Sequence, residues 1–163
     1  MGKKEEKTNV MRTLDQKKVP YIPRLFDADT RSGEEIAKIL GEDPSRVFKT
    51  LVTTGKTGQH YVFDIPVNEE LDLKKAAKAV GEKSIDMLPQ KELLPLTGYI
   101  HGGCSPIGMK KQFPTVFHQT AHDYDHIFVS GGRVGSQVEV HLEDLSKIFR
   151  YSLADLVVSS QNV

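Results

Sequence analysis

The chain has 163 residues, 38% of them hydrophobic and 27% charged, and its 22 basic side chains are balanced by 22 acidic ones. That length suits one domain with its own core, and zero net charge excludes whole-molecule steering toward nucleic acid, leaving only a local patch for such contact. A single cysteine excludes an internal disulfide, the polar start Met1–Lys7 is no secretory signal, and no apolar run reaches membrane-spanning length, so the expected location is the cytoplasm.

In chain order, Val10, Met11 and Leu14 share one face of a helix over Thr8–Lys18, and Pro20 and Pro23 then hold an extended stretch through Phe26. Ser32-Gly33-Glu34-Glu35 is a capping-box pattern opening a helix that buries Ile36, Ile39 and Leu40 and stops at Gly41. Arg46–Thr54 and His60–Val67 read as two strands joined by a turn at Gly55–Gly58, with Tyr61, Phe63, Ile65 and Val67 on one face. Asp72 caps a short helix that Gly81 closes, and Pro89–Leu94 forms another short helix or turn. Strands follow at Thr115–His118, His126–Ser130 and Gln137–His141. Two terminal helices complete the reading, Leu142–Phe149 and one capped by Ser152 with Asp155 three residues on. The fold class is mixed α/β in one domain, with hairpins rather than regular βαβ units.

Three features carry chemistry. Gly102-Gly103-Cys104-Ser105-Pro106-Ile107-Gly108 combines three glycines, a proline and the cysteine, so it is either a structural turn or a loop offering backbone N–H groups to a small polar ligand. Lys49 interrupts the apolar run Val47–Val52. It is either an edge lysine whose stem covers apolar surface or a cleft lysine acting on protons or phosphate. Ser130-Gly131-Gly132-Arg133-Val134-Gly135 is a hairpin turn that can also form a second wall of the same cleft. Cys104 has no positioned base beside it in sequence and reads as a small packing residue. His118, His122 and His126 have helical spacing, but two of them fall at strand ends, so a polar connection is favoured over a metal site. Lys110-Lys111 directly follows the glycine loop, where a phosphate backbone could arrive.

The segments Val47–Leu51, Leu71–Ala79, Thr97–Lys111 and Ile127–Gly132 fall in this order, and the likeness they carry extends from about residue 8 to 158. Together they resemble the YbaK/EbsC family of aminoacyl-tRNA deacylases, related to the editing domain of bacterial prolyl-tRNA synthetases, and most closely its Cys-tRNA(Pro) branch. The resemblance implies one domain over residues 5–160 with a mixed, barrel-like β-sheet flanked by helices, and a cleft for the 3′-terminal adenosine and its aminoacyl ester. It implies no cofactor and no metal, and prolyl-tRNA synthetase as a transient partner. It assigns Lys49 and Gly103 to catalysis, and Phe26, Thr50, Gly102, Cys104, Ser105, Pro106, Ser130, Gly131, Gly132 and Gln137 to substrate binding. In this family the cysteinyl thiol of the substrate attacks its own ester and leaves as a thiolactone. Phe26 stands where relatives often have tyrosine, Gln137 where aspartate is common, and Thr30–Gly33 runs shorter than usual and lacks an aromatic. Those departures keep two other readings open: a deacylase for another small amino acid, such as Ala-tRNA(Pro), using water, and a non-catalytic tRNA- or synthetase-binding module.

Overall fold

The computed structural model describes residues 7–26 and 33–159. Helix α1 (Asn9–Gln16) starts where the Thr8 side chain accepts from the Met11 N–H, and its Val10, Met11 and Leu14 are buried as the spacing predicts. Strand β1 (Ile22–Leu25) occupies the extended proline stretch. Helix α2 (Gly33–Leu40) follows; the capping residue expected at Ser32 lies outside the described residues.

Strands β2 (Phe48–Gly55) and β3 (His60–Pro66) form the central hairpin. The bonds Val67 N–H to Val47 O and Gly55 N–H to Gln59 O mark its hydrogen-bonded rungs. By alternation Lys49, Leu51 and Thr53 exchange backbone bonds with β3, whereas Phe48, Thr50 and Val52 turn their peptide groups the other way. Pro66, which has no N–H, lies opposite Phe48, where none is needed. A three-residue strand, β4 (Ile85–Met87), pairs with β2 at Thr53–Gly55 and so leaves the start of β2 uncovered on that side. Sequence reading missed β4, because three residues carry too little alternation to register.

Helix α3 (Leu73–Val80) has the expected ends: Asp72 accepts from the N–H groups of Lys74 and Lys75, and Gly81 closes it at φ +76°. A 3-10 turn and the short helix α4 (Leu93–Thr97) precede the glycine loop. Strands β5 (Thr115–His118), β6 (Ile127–Ser130) and β7 (Ser136–Val140) lie close to their expected positions.

The C-terminal segment departs from expectation. Leu142–Lys147 is a 3-10 helix, and in place of a second helix Tyr151–Ala154 forms strand β8, parallel to β5. Ser152 therefore caps nothing. The sheet offers this segment a ready ladder, and Tyr151 packs its ring edge-on against Phe117 and Phe149, a tertiary gain that outweighs a local capping pattern.

The strands make two sheets, β4-β2-β3-β5-β8 and β1-β7-β6, joined by a parallel bridge between Val47 and Phe128. They do not close into a barrel, and parallel pairs β3–β5 and β5–β8 accompany the hairpins. The main core lies between the sheets, where Val10, Leu14, Phe48, Val62, Phe117, Ile127, Val129 and Val138 meet. On the far face of the larger sheet, Ala76 and Ala77 of α3 cover Tyr61, Phe63 and Ile65, while Ala37 of α2 packs against Val47 and Phe128 where the two sheets are bridged.

The three histidines do not share a helix. His118 is buried in β5 and accepts from the Leu156 N–H at 3.1 Å, while His122 and His126 lie on the connection after it. Among the described residues no group of three or more His, Cys, Asp or Glu is placed to hold a metal, and no helix is long and apolar enough to cross a membrane.

Candidate functional site

At the uncovered edge of β2 a cavity of about 190 Å³ opens between the two sheets. Residues of both faces of this edge line it, Val47, Lys49 and Leu51 alternating with Phe48 and Thr50, together with Ile36, Leu93, His101, Gly102, Cys104, Ser130 and Gln137. Sites that engulf a whole drug-sized ligand run to roughly 300–1,000 Å³. This one suits a small group whose larger remainder stays outside.

The glycine loop and the β6–β7 turn lock together beside it. A Cβ on Gly103 would stand 2.8 Å from Arg133 Cα and 3.1 Å from Val134 N, so only glycine permits this contact. Gly102 adopts φ +91° and lines the cavity. A Cβ on Gly131 would strike the Ser136 hydroxyl, and Gly132 has φ +100°. Within the loop, Ile107 N–H donates to Ser105 Oγ (3.3 Å), Tyr99 donates its hydroxyl to Ile107 O (2.5 Å), and Asn9 Nδ2 donates to Gly108 O (2.8 Å). The loop is therefore held rigid by its surroundings.

Behind the cavity wall lies a buried carboxyl. Asp64, fully buried on β3, is hydrogen-bonded through Oδ1 to Thr50 Oγ1 at 2.5 Å, while its Oδ2 has no partner. Burial pushes its pKa up to about 8, against the opposing pull of the Thr50 bond. Burial, and then the Asp64 charge, push the Cys104 thiol up to about 12. Gln137, buried as well, keeps an unpartnered Oε1 at the cavity wall.

The structure brings Lys49, Thr50, Gly102, Cys104, Ser130 and Gln137 around one space. Gly103, Ser105, Pro106, Gly131 and Gly132 are not on its wall; they shape the loops behind it. The expected run of free N–H groups is incomplete, because the Gly103 N–H already bonds to Ile100 O at 3.0 Å to close a turn. Phe26 lies in a neighbouring shallow depression with Leu25, Arg133, Val134 and Gly135. Sequence reasoning did not select Ile36, Leu93 or Asp64. The first two are ordinary apolar positions, but an acid sharing the inward face of Val62 within an apolar strand was a readable signal.

The two sheets and the glycine loop thus enclose a small cavity, lined by apolar side chains and by Lys49, Thr50, His101, Ser130 and Gln137, the form of a small-ligand site. Residues 27–148 match the Aminoacyl-tRNA editing domain family, and the chain belongs to that family. A relative in Enterococcus faecalis, provisionally named Cys-tRNA(Pro)/Cys-tRNA(Cys) deacylase EbsC, is 47% identical over 94% of this chain and 95% of its own length. The proline–tRNA ligase of Thermosipho melanesiensis is 29% identical over 86% of this chain, which spans only 27% of that ligase. Among solved structures, one provisionally described as a trans-editing enzyme for prolyl tRNA synthetase superposes with TM-score 0.82 at 25% identity, covering 93% of this chain and 96% of that one.

Proposed function

We propose that this chain, as one domain over residues 5–160, is a trans-editing aminoacyl-tRNA deacylase that clears cysteine mischarged onto tRNA(Pro). The full-length similarity to the Enterococcus deacylase carries the reading. The cavity chemistry supports it, because the site's own thiol is held protonated. A substrate that brings its own nucleophile does not need one from the protein. The cysteinyl sulfur would form a bond to its ester carbonyl carbon, and the ester C–O bond would break. The ribose hydroxyl would then leave with a proton, and cysteine would depart as its thiolactone.

For such a reaction the protein supplies orientation, which is worth about 7–11 kcal/mol in good intramolecular cases. Lys49 is proposed to hold the terminal phosphate or ribose, or to favour the substrate thiolate by its charge. Gly102 and Thr50 would border the ester, with Ser130 and Gln137 opposite. In the trans arrangement, prolyl-tRNA synthetase would be the partner that hands over the charged tRNA.

The test is a panel of tRNA(Pro) charged with cysteine, alanine or proline, assayed with wild type and Lys49→Ala. Cysteine release is expected, falling about 10- to 100-fold in the variant, the scale of a lost hydrogen bond to a charged group. Equal release of alanine would replace self-attack by water. Binding without release from any charged tRNA would make the chain a binding module.

A further inference from the structure

We propose that Asp64 is a positioning residue of this site, acting through Thr50: its proton decides whether the Thr50 hydroxyl offers the cavity a donor or an acceptor. The inference rests on the reading of the cavity as the aminoacyl site.

The geometry begins with the strand register. Thr50 and Asp64 face each other on a rung without backbone bonds, where opposed side chains come closest. Thr50 lines the cavity, and Asp64 stands behind it, fully buried. Around Asp64 the same inward face carries Phe48 and Val52 of β2, Val62 of β3 and Phe117 of β5. A valine there would pack among its own kind. The carboxyl leaves Oδ2 without a partner, an arrangement that costs stability and points to use elsewhere.

A hydroxyl has one proton and two lone pairs. When Asp64 is ionised, Thr50 must donate to it, and the hydroxyl shows only lone pairs to the cavity. When Asp64 is a neutral acid, it can donate to Thr50, whose own proton is then free to bind a carbonyl or ribose oxygen of the aminoacyl end. Burial favours the neutral acid up to about pH 8. The titratable group facing it from the loop is Cys104, whose thiol keeps its proton through that range. Lys49 occupies the next rung and the opposite face of β2, and β5 presents Phe117. The inference is therefore that Thr50 donates to the substrate near neutrality and stops doing so in mild alkali.

The experiment measures kcat/KM for Cys-tRNA(Pro) from pH 6 to 9.5 in wild type, Asp64→Asn, Asp64→Val and Thr50→Val. Asparagine can donate to Thr50 as the neutral acid does but cannot titrate. Asp64→Asn should keep near-wild-type activity at pH 7 and lose a descending limb near pH 8 that wild type shows. Asp64→Val should fall about tenfold below wild type at pH 7, in kcat more than KM, the scale of one lost hydrogen bond, and should show no descending limb near pH 8. In the Thr50→Val background, Asp64→Asn should change nothing further. Melting curves show that each variant is folded. Superimposed profiles for wild type, Asp64→Asn and Asp64→Val would overturn the proposal while leaving the deacylase reading intact. A wild type inactive on every charged tRNA would instead overturn the reading of the cavity, and this inference with it.

Discussion

Cys104 borders the cavity, yet burial and the nearby Asp64 carboxyl hold its thiol up to about 12, so thiolate is negligible at neutral pH. Cys104→Ala should therefore keep kcat/KM within about twofold, since it removes a small packing group and no reacting one. A hundredfold loss would restore Cys104 as a nucleophile. Asp64 makes a second prediction, in stability. Its unfolded carboxyl gives up its proton near pH 4, about the ordinary aspartate value, and its folded one near 8. Between those values the folded state binds the extra proton, so this group's contribution falls as pH rises and levels off above about 8. Asp64→Val should melt higher than wild type, by a margin that widens from pH 5 to pH 8; an unchanged margin would mean the folded carboxyl titrates normally. Cys104 was legible in the sequence because cysteine is rare here and sits among glycines. Asp64 was legible only as an acid within an apolar strand, because its meaning depends on which strand residue it faces.

At the scale of elements, the glycine loop and the β6–β7 turn behave as one unit, since Gly103 leaves no room for a side chain against the backbone at Arg133 and Val134. Gly103→Ala should push the turn away, lowering stability by about 1–3 kcal/mol. Activity should fall with it, because Ser130 and Gly102 line the cavity from the two displaced loops. A melting curve and kcat/KM at 25 °C check both; an alanine accepted without cost would mean the two loops are not in register. Local chemistry made some elements readable and others not. Helices α1 and α3 carry their stop and start signals in sequence, Thr8 and Asp72 as caps and Gly81 as terminator. Strand β8 does not, because its ladder partner β5 lies more than thirty residues upstream and Ser152 imitates a cap. The cavity was half legible for the same reason. Lys49, Thr50 and Gly102 stand in recognisable runs, whereas the opening exists because β4 is too short to cover β2.

For the whole molecule, zero net charge means that no long-range field draws a polyanion in. A tRNA acceptor end must then be held by local contacts, and the nearest exposed cations after the glycine loop are Lys110 and Lys111. The Lys110 ammonium lies 3.3 Å from Pro95 O, and that of Lys111 sits 5.8 Å from the Phe113 ring centre, so both stems are steered along the surface beside the loop. Each phosphate neutralised on a single strand adds about 0.7 to the slope of log affinity against log salt. Replacing both lysines with alanine should therefore flatten that slope by about 1.4 if each meets one phosphate. Affinity should fall most at low salt, and kcat at saturating tRNA should stay unchanged, because neither residue is on the cavity wall. Binding of charged tRNA(Pro) from 50 to 300 mM salt reads the slope. An unaltered slope would move the phosphate contacts to another face, and a fall in kcat alone would mean that the lysines act on the loop rather than on the tRNA.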